Sequence, residues 1–268
     1  MSAIDQLFSR LRASGKKALM PFVTAGDPDL DFTAAAVAEM VKRGAHLCEI
    51  GVPYSDPIAD GPVIQASYTR ALNHKLKLAR IFEMLGRASP QVAAPLVTMV
   101  SYAIVLRHGL ERYVEEAKAA GVSGAIVPDL LVEESAELAA ICRKADFSLI
   151  QLVTPTTPRE RALRIAEAST GFLYYVSVTG ITGERTALPQ SLVDNVGWLR
   201  EQTTTPICIG FGISQPEHVR RLAPVADGLI VGSAIVRRIA EAGSRPRGEV
   251  LAELGDYVSS LLAAFETK

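Results

Sequence analysis

Residues 46–65 read His46-Leu-Cys-Glu-Ile-Gly-Val-Pro-Tyr-Ser-Asp-Pro-Ile-Ala-Asp-Gly-Pro-Val-Ile-Gln65. The first six are a short apolar run, which is typical of a buried strand. The stretch from Pro53 onward contains two aspartates, three prolines and a glycine, a composition that builds a turn-rich loop rather than a core. A loop with fixed carboxylates is typical of binding or catalysis. We therefore predict that Glu49 and Asp60 lie together at one end of a sheet.

The rest of the chain repeats this alternation of short apolar runs and amphipathic helical runs. The predicted strands are Ala18–Thr24, His46–Gly51, Pro95–Val100, Gly124–Pro128, Ser148–Val153, Phe172–Val176, Pro206–Ile209 and Gly228–Val231. The clearest predicted helices are Asp31–Arg43, Ala66–Ala88, Leu110–Ala120, Glu133–Ala145, Pro158–Ala168, Leu188–Gln202 and Glu217–Leu222. Alternation of this kind implies βαβ units and a parallel sheet. Eight units in 268 residues favour an α/β fold of the (β/α)8 TIM-barrel type, with residues 1–268 forming a single domain.

Two further helices lie outside the eightfold pattern. Ala3–Arg12 is an amphipathic run that suits a cap on the bottom of the barrel, and Glu249–Phe265 is predicted as a terminal helix. The long run after the second strand is open to a break at 73–77. Gly44 and Gly121 stand where the residue after a helix C-terminus is expected.

Composition excludes several classes of protein. The chain has 49% hydrophobic and 21% charged residues and a formal net charge of −1, so it carries no electrostatic footprint for nucleic acid. Its apolar runs are shorter than the ~20 residues of a membrane span, and its N-terminus lacks the pattern of a signal peptide. Cys48, Cys142 and Cys208 are too widely spaced for a zinc site or a disulfide framework. We expect buried reduced thiols in a cytoplasmic protein with no metal.

Alternation along the second strand decides where Glu49 points. Cys48 and Ile50 suit the outer face that meets helices, so Glu49 and Leu47 are expected to face the barrel interior. Burial raises the pKa of a carboxyl group and suits a general acid or base near neutral pH. An inward glutamate held in a structural network is an equally open alternative. For Asp60 and Asp56, which stand beside Gly61 and Pro57, the alternative is a turn-forming aspartate.

Three glycine-bearing segments follow the last three strands. Gly210–Ser214 and Gly232–Ile235 follow strands seven and eight, where barrels of this kind often bind phosphate through backbone N–H groups and a helix N-terminus. Ser233 adds a hydroxyl there, and it also suits a helix N-cap. The segment 177–187 contains two Thr-Gly pairs, which suggests a lid over the site or an ordinary long connection.

Residues 49–65 resemble the signature of the tryptophan synthase alpha chain family. The likeness extends over essentially the whole chain, through Pro21–Pro28, Val127–Leu130, the Thr-Gly loop and Gly210–Gly212. The resemblance implies retro-aldol cleavage of indole-3-glycerol phosphate to indole and glyceraldehyde 3-phosphate. It implies that Glu49 is the acid/base at indole C3 and the glycerol hydroxyl, and that Asp60 faces the indole N–H.

The same resemblance implies the remaining substrate contacts. Thr182 and Gly183 match lid residues that close towards Asp60, and Tyr174 matches an active-site tyrosine after strand six. The implied indole slot comprises Phe22, Val100, Tyr102, Val127, Val153, Phe211 and Ile230, each of which also suits an ordinary core position. The implied phosphate contacts are Gly183, Gly212, Gly232 and Ser233. No metal or organic cofactor is implied for this chain.

The resemblance also implies a partner. Such chains pass indole to a beta subunit that carries pyridoxal phosphate, in an α2β2 heterotetramer, and Pro53, Asp56 and Pro57 are expected at that interface. Ile104, Lys75 and Glu184 depart from the family pattern, which carries asparagine, glycine and a small residue there.

Three rival functions remain open at this point. The first is another phosphate-binding barrel enzyme of aromatic biosynthesis, against which stands the absence of lysine at the predicted strand ends. The second is a non-catalytic interaction subunit, against which stand the two carboxylates. The third is a free-standing lyase that never meets a beta subunit.

Overall fold

The computed structural model describes residues 1–57, 60–176, 190–210 and 212–266. Within them, eight parallel strands pair in chain order and the eighth pairs with the first, so that the sheet closes into a barrel. The strands are β1 Ala18–Thr24, β2 Cys48–Gly51, β3 Leu96–Met99, β4 Val122–Ile126, β5 Ser148–Val153, β6 Leu173–Val176, β7 Ile207–Gly210 and β8 Gly228–Val231. The predicted (β/α)8 TIM barrel is confirmed.

Helices surround this barrel and cap its lower end. They are α1 Ala3–Ala13, α2 Leu30–Lys42, α3 Pro62–Leu72, α4 Leu78–Ala88, α5 Tyr102–His108, α6 Leu110–Ala119, α7 Ala136–Lys144, α8 Arg159–Ala168, α9 Gln190–Gln202, α10 Pro216–Leu222, α11 Ser233–Ala240 and α12 Arg247–Glu266. Short 3-10 turns span Ser89–Gln91, Val132–Glu134 and Glu241–Gly243. No helix in the described part of the chain is long and apolar enough to cross a membrane.

The core has two layers because strand residues alternate between the two sides of the sheet. An inner cluster fills the barrel and includes Leu47, Val97 and Ile150, whereas Cys48 and Ile50 belong to the outer cluster between strands and helices. The predicted facing of β2 is therefore confirmed. Helix α1 closes the bottom of the barrel, as predicted, because its buried apolar face packs on the inner cluster.

Several predicted boundaries were wrong. The run 66–88 is two helices, since α3 ends at Leu72 and α4 begins at Leu78. Helix α3 also starts earlier than predicted, at Pro62, because a proline at the first helical position loses no hydrogen bond. Strand β4 lies at Val122–Ile126 rather than 124–128, and its register shifts beside β3. The predicted helix 133–145 opens with a 3-10 turn and becomes α-helical only at Ala136.

Other local predictions are confirmed. Gly44 and Gly121 follow helix ends with φ of 105° and 82°, which only glycine adopts without strain. Cys48, Cys142 and Cys208 are free and buried. Burial raises the pKa of the Cys48 and Cys142 thiols to about 12, so both are inert at neutral pH.

Candidate active site

Glu49 lies near the C-terminal end of β2, beside Phe22 of β1 and Val97 of β3 in the sheet register. Only 1% of its surface is exposed. Neither of its carboxyl oxygens has a hydrogen-bond partner among the described residues. The alternative, in which hydrogen bonds to neighbouring residues hold Glu49 in a structural role, is therefore contradicted for the described part of the chain. Burial, and then the negative charge of Asp60, raise the pKa of Glu49 to about 8, so the carboxyl is mostly neutral at pH 7.

Asp60 lies in the connection between β2 and α3, and its side chain is partly buried. Its carboxylate does not cap α3, because Gly61 is the N-cap and no side-chain cap bond is formed there. Burial raises the pKa of Asp60 to about 6, which leaves it mostly ionised at pH 7. The two acids therefore differ in protonation state at neutral pH while lying close enough for the charge of one to act on the other.

A cavity of about 380 Å³ opens beside Asp60. Its walls are mainly apolar, and they include Met99, Val127, Leu152 and Tyr174. Tyr174 lies within β6 rather than after it, which corrects its predicted place. Burial, and then the negative charges of Glu49 and Asp60, raise the pKa of the Tyr174 hydroxyl well above its ordinary value.

The other predicted indole contacts fall into separate groups. Ile230 belongs to the inner cluster, and Phe22 packs with Tyr68 of α3. Val100 and Val153 are buried in the outer cluster, against which the half-buried Tyr102 packs. Their contact with a ligand stays a prediction, while Thr182, Gly183 and Phe211 lie outside the described residues.

The predicted phosphate segments follow two neighbouring parallel strands, β7 and β8, so both lie at the C-terminal end of the barrel. Gly232 is the N-cap of α11, and no side chain caps this helix among the described residues. Ser233 is the first helical residue, so the alternative of Ser233 as the N-cap is wrong. Gly212 has φ of 77°, and a Cβ added there would meet nothing within 4 Å. A Cβ added at Gly232 would lie 3.9 Å from the Phe22 Cβ, which places this helix start next to β1.

No group of three His, Cys, Asp or Glu that could hold a metal ion occurs among residues 1–57, 60–176, 190–210 and 212–266. A mostly neutral carboxyl group such as that of Glu49 can donate a proton, and a mostly ionised one such as that of Asp60 can stabilise positive charge.

Comparison with known proteins identifies the family. The sequence profile described as "Tryptophan synthase alpha chain" matches residues 8–262. This chain belongs to that family. It is 60% identical to the tryptophan synthase alpha chain of Rhodopirellula baltica over 99% of both chains. By family membership it is an enzyme subunit of tryptophan biosynthesis.

Solved structures agree with the tryptophan synthase alpha chain assignment. Tryptophan synthase subunit alpha from Legionella pneumophila is 32% identical, with a TM-score of 0.90 over 99% of both chains. A chain of the tryptophan synthase complex from Pyrococcus furiosus is 35% identical, with a TM-score of 0.83 over 92% of this chain and 98% of the other.

A second, larger cavity of about 850 Å³ lies beside the loop that carries the predicted interface residues of this alpha chain. Asp56 and Ile104 line it, while Pro53 and Pro57 flank Asp56 in the sequence. Leu106 of α5 is 58% exposed on the same helix as Ile104, which is unusual for a large apolar side chain. This surface therefore combines a concavity with exposed apolar area.

Helix α5 and the residue that anchors it were missed by sequence reasoning. Asp129 accepts hydrogen bonds from the Ser101 hydroxyl and from the Tyr102 N–H, both at 2.7 Å, at the start of α5. A carboxylate at a helix N-terminus satisfies free N–H groups and opposes the helix dipole. No local signal identified it, because Asp129 lies 27 residues beyond Tyr102.

Two of the three residues that depart from the tryptophan synthase alpha chain pattern lie in the described part of the chain. Lys75 has φ of 52°, in the left-handed region where glycine is favoured. Ile104 lines the larger cavity. Glu184 lies outside the described residues.

Proposed function

We propose that this chain cleaves indole-3-glycerol phosphate to indole and glyceraldehyde 3-phosphate, as the lyase subunit of a tryptophan synthase complex. One observation carries the proposal: the buried carboxyl group of Glu49 and the partly buried carboxyl group of Asp60 lie close together at one mouth of the barrel, and their pKa values place them in different protonation states at pH 7. Glu49 is mostly neutral at pH 7 and can donate a proton, whereas Asp60 is mostly ionised and can stabilise positive charge.

The proposed reaction uses these two states in turn. The Glu49 carboxyl donates its proton to indole C3, which becomes tetrahedral while positive charge develops on the ring nitrogen. Asp60 stabilises that charge. The Glu49 carboxylate then takes the proton of the glycerol hydroxyl, the carbon–carbon bond breaks, and its electron pair returns to the ring as indole leaves. The oxygen that lost its proton becomes the aldehyde of the second product. A well-placed acid/base contributes about 10²–10⁴ in rate.

The apolar cavity and the N–H groups at the mouth of the barrel would orient the two ends of the substrate. In this proposal the apolar cavity beside Asp60 and Tyr174 receives the indole ring. Backbone N–H groups at Gly212 and Gly232 and the hydroxyl of Ser233 bind the phosphate, which the start of α11 favours electrostatically. The proposed steps need neither a metal nor an organic cofactor in this chain, and pyridoxal phosphate belongs to the beta partner.

We also propose that the larger cavity and the loop residues Pro53, Asp56 and Pro57 form the surface for a beta chain in an α2β2 heterotetramer. Support comes from the Pyrococcus furiosus relative, which is part of a tryptophan synthase complex. We further propose that residues 1–268 act as a single barrel domain in the cytoplasm.

The direct test supplies indole-3-glycerol phosphate to the purified chain and measures release of indole. We expect release by the wild type, and a loss of at least about 10²-fold in Glu49→Gln. Glu111→Gln is the matched control, because Glu111 is exposed on α6, and we expect this change to leave activity intact. Near-normal turnover by Glu49→Gln would refute its role.

A second experiment separates a complex from the free-standing lyase. Turnover is measured with and without a tryptophan synthase beta chain, together with co-elution by gel filtration. We expect a complex and a faster reaction on mixing. No co-elution and no change in rate would favour a free-standing enzyme.

A further inference from the structure

The turn that carries Asp60 is closed by the side chain of Gln65, a residue of the first turns of α3. The Gln65 Nε2 donates hydrogen bonds to the carbonyl oxygens of Asp60 at 2.8 Å and of Pro57 at 3.2 Å. The backbone N–H of Asp60 also donates to the Pro57 carbonyl at 3.1 Å. One amide group therefore holds both ends of the segment from Pro57 to Asp60.

Helix α3, which carries Gln65, is itself bound to β1 and to the connection that follows β1. The Arg70 guanidinium donates two hydrogen bonds, at 2.8 and 2.7 Å, to the carboxylate of Asp27, whose side chain is 1% exposed. The hydroxyls of Ser67 and Thr24 are hydrogen-bonded at 2.6 Å and buried. A two-pronged ion pair and a buried hydroxyl bond fix the helix in position and orientation. Through Gln65, the loop that carries Asp60 is therefore bound to a helix that is held firmly against the barrel.

We propose that Gln65 is a positioning residue that holds Asp60 in place beside the cavity. The inference rests on the proposed function, in which Asp60 acts on charge that develops only in the transition state. Interactions made only in the transition state affect kcat rather than KM when they are weakened. A catalytic group displaced by as little as 1 Å can cost about 10²-fold in rate.

The test replaces Gln65 with methionine, which keeps the length of the side chain and removes both donors. The matched control is Gln91→Met, because the Gln91 Nε2 also donates to a backbone carbonyl, that of Arg87 at 2.9 Å, on an exposed helix end. Circular dichroism and thermal unfolding of the two variants establish that both fold. We expect Gln65→Met to lower kcat about tenfold with KM changed less than about threefold, and Gln91→Met to change neither.

A second readout follows the ionisation of Asp60 by carbon-13 NMR. In Gln65→Met the loosened carboxylate gains water, so its pKa falls from about 6 toward its ordinary value of 3.8. Unchanged kcat together with an unchanged Asp60 titration would overturn the proposal, as would a rise in KM alone. If the wild type releases no indole, the proposed function fails. The NMR titration then still decides whether Gln65 positions Asp60.

Discussion

Phe22 of β1 and Glu49 of β2 are register partners in the barrel wall, so the side chain of Phe22 lies next to that of the buried acid. The Phe22 Cβ also lies 3.9 Å from the position that a Cβ would take at Gly232, the N-cap of α11. One apolar side chain therefore separates the buried carboxyl from the helix start that is proposed to hold phosphate. A substrate with an aromatic ring at one end and a phosphate at the other suits this arrangement.

The pH dependence of cleavage is expected to report both acids. Activity requires ionised Asp60 and protonated Glu49, so kcat/KM should rise as pH increases through about 6 and fall as it increases through about 8. Because the two groups interact, these values belong to the pair. Initial rates of indole release across this range check the profile. In Asp60→Asn the rate should be much lower, and the residual activity should lack the acid limb. A wild-type profile that stays flat would contradict the assignment.

Stability is expected to depend on pH through Glu49. Its ordinary pKa of 4.5 is raised in the folded chain to about 8, so its contribution is fully present below pH 4.5 and is lost as pH rises to about 8. This difference corresponds to about 5 kcal/mol of unfolding free energy. Denaturant unfolding at several pH values checks it. Between pH 4.5 and 8, the unfolding free energy of Glu49→Gln should fall by several kcal/mol less than that of the wild type. If the unfolding free energies of the two proteins change in parallel with pH, the pKa of Glu49 is not raised.

Gly51 is expected to tolerate no side chain. A Cβ there would lie 2.5 Å from the Phe22 Cζ and 2.9 Å from the Tyr68 hydroxyl oxygen, so Gly51→Ala must displace one of the two rings. Overpacking of this kind costs about 1–3 kcal/mol of unfolding free energy. Gly197→Ala on α9 is the control, because nothing lies within 4 Å of its added Cβ and alanine is the better helix former. Equal stabilities of the two variants would contradict the clash.

Lys75 is expected to be strained by its backbone. Its φ of 52° lies in the left-handed region, which costs a residue with a Cβ roughly 1–2 kcal/mol. Lys75→Gly should therefore raise the free energy of unfolding by about 0.5–1 kcal/mol, after the extra entropy of glycine in the unfolded chain is subtracted. The control is Lys77→Gly, whose φ of −112° is unstrained, and the free energy of unfolding of this variant should not rise. A destabilised Lys75→Gly variant would show that the lysine side chain contributes more than its backbone costs.

Ser233 is expected to bind the phosphate of the substrate. A hydrogen bond to a charged group contributes about 1.5–3 kcal/mol, so Ser233→Ala should raise KM for indole-3-glycerol phosphate about tenfold or more. Unphosphorylated indole-3-glycerol provides the matched substrate, for which the variant and the wild type should behave alike. Ser244→Ala, at an exposed serine bonded to the Glu241 carbonyl, is the control variant. A similar loss on both substrates would place Ser233 away from the phosphate.

Some of this site was predictable from sequence because it depends on local pattern. Alternation along β2 predicted that Glu49 faces inward, and the turn residues around Asp60 predicted a loop at the mouth. Strands β1, β5 and β8 were predicted with the observed ends, since each is an apolar run bounded by polar or turn residues. Helix α5 was not predicted, because it has seven residues and its N-terminus is bound by Asp129 of the next connection.

The sequence by itself determined the order of strands and helices, the facing of Glu49 and the family to which the chain belongs. These properties follow from side-chain periodicity and from a motif that is contiguous in the chain. Only the tertiary structure decided the protonation states of Glu49 and Asp60 and the attachment of α3, through Arg70, to Asp27 in the connection that follows β1. The pKa values depend on how much water the closed barrel excludes, and the ion pair joins residues 43 positions apart.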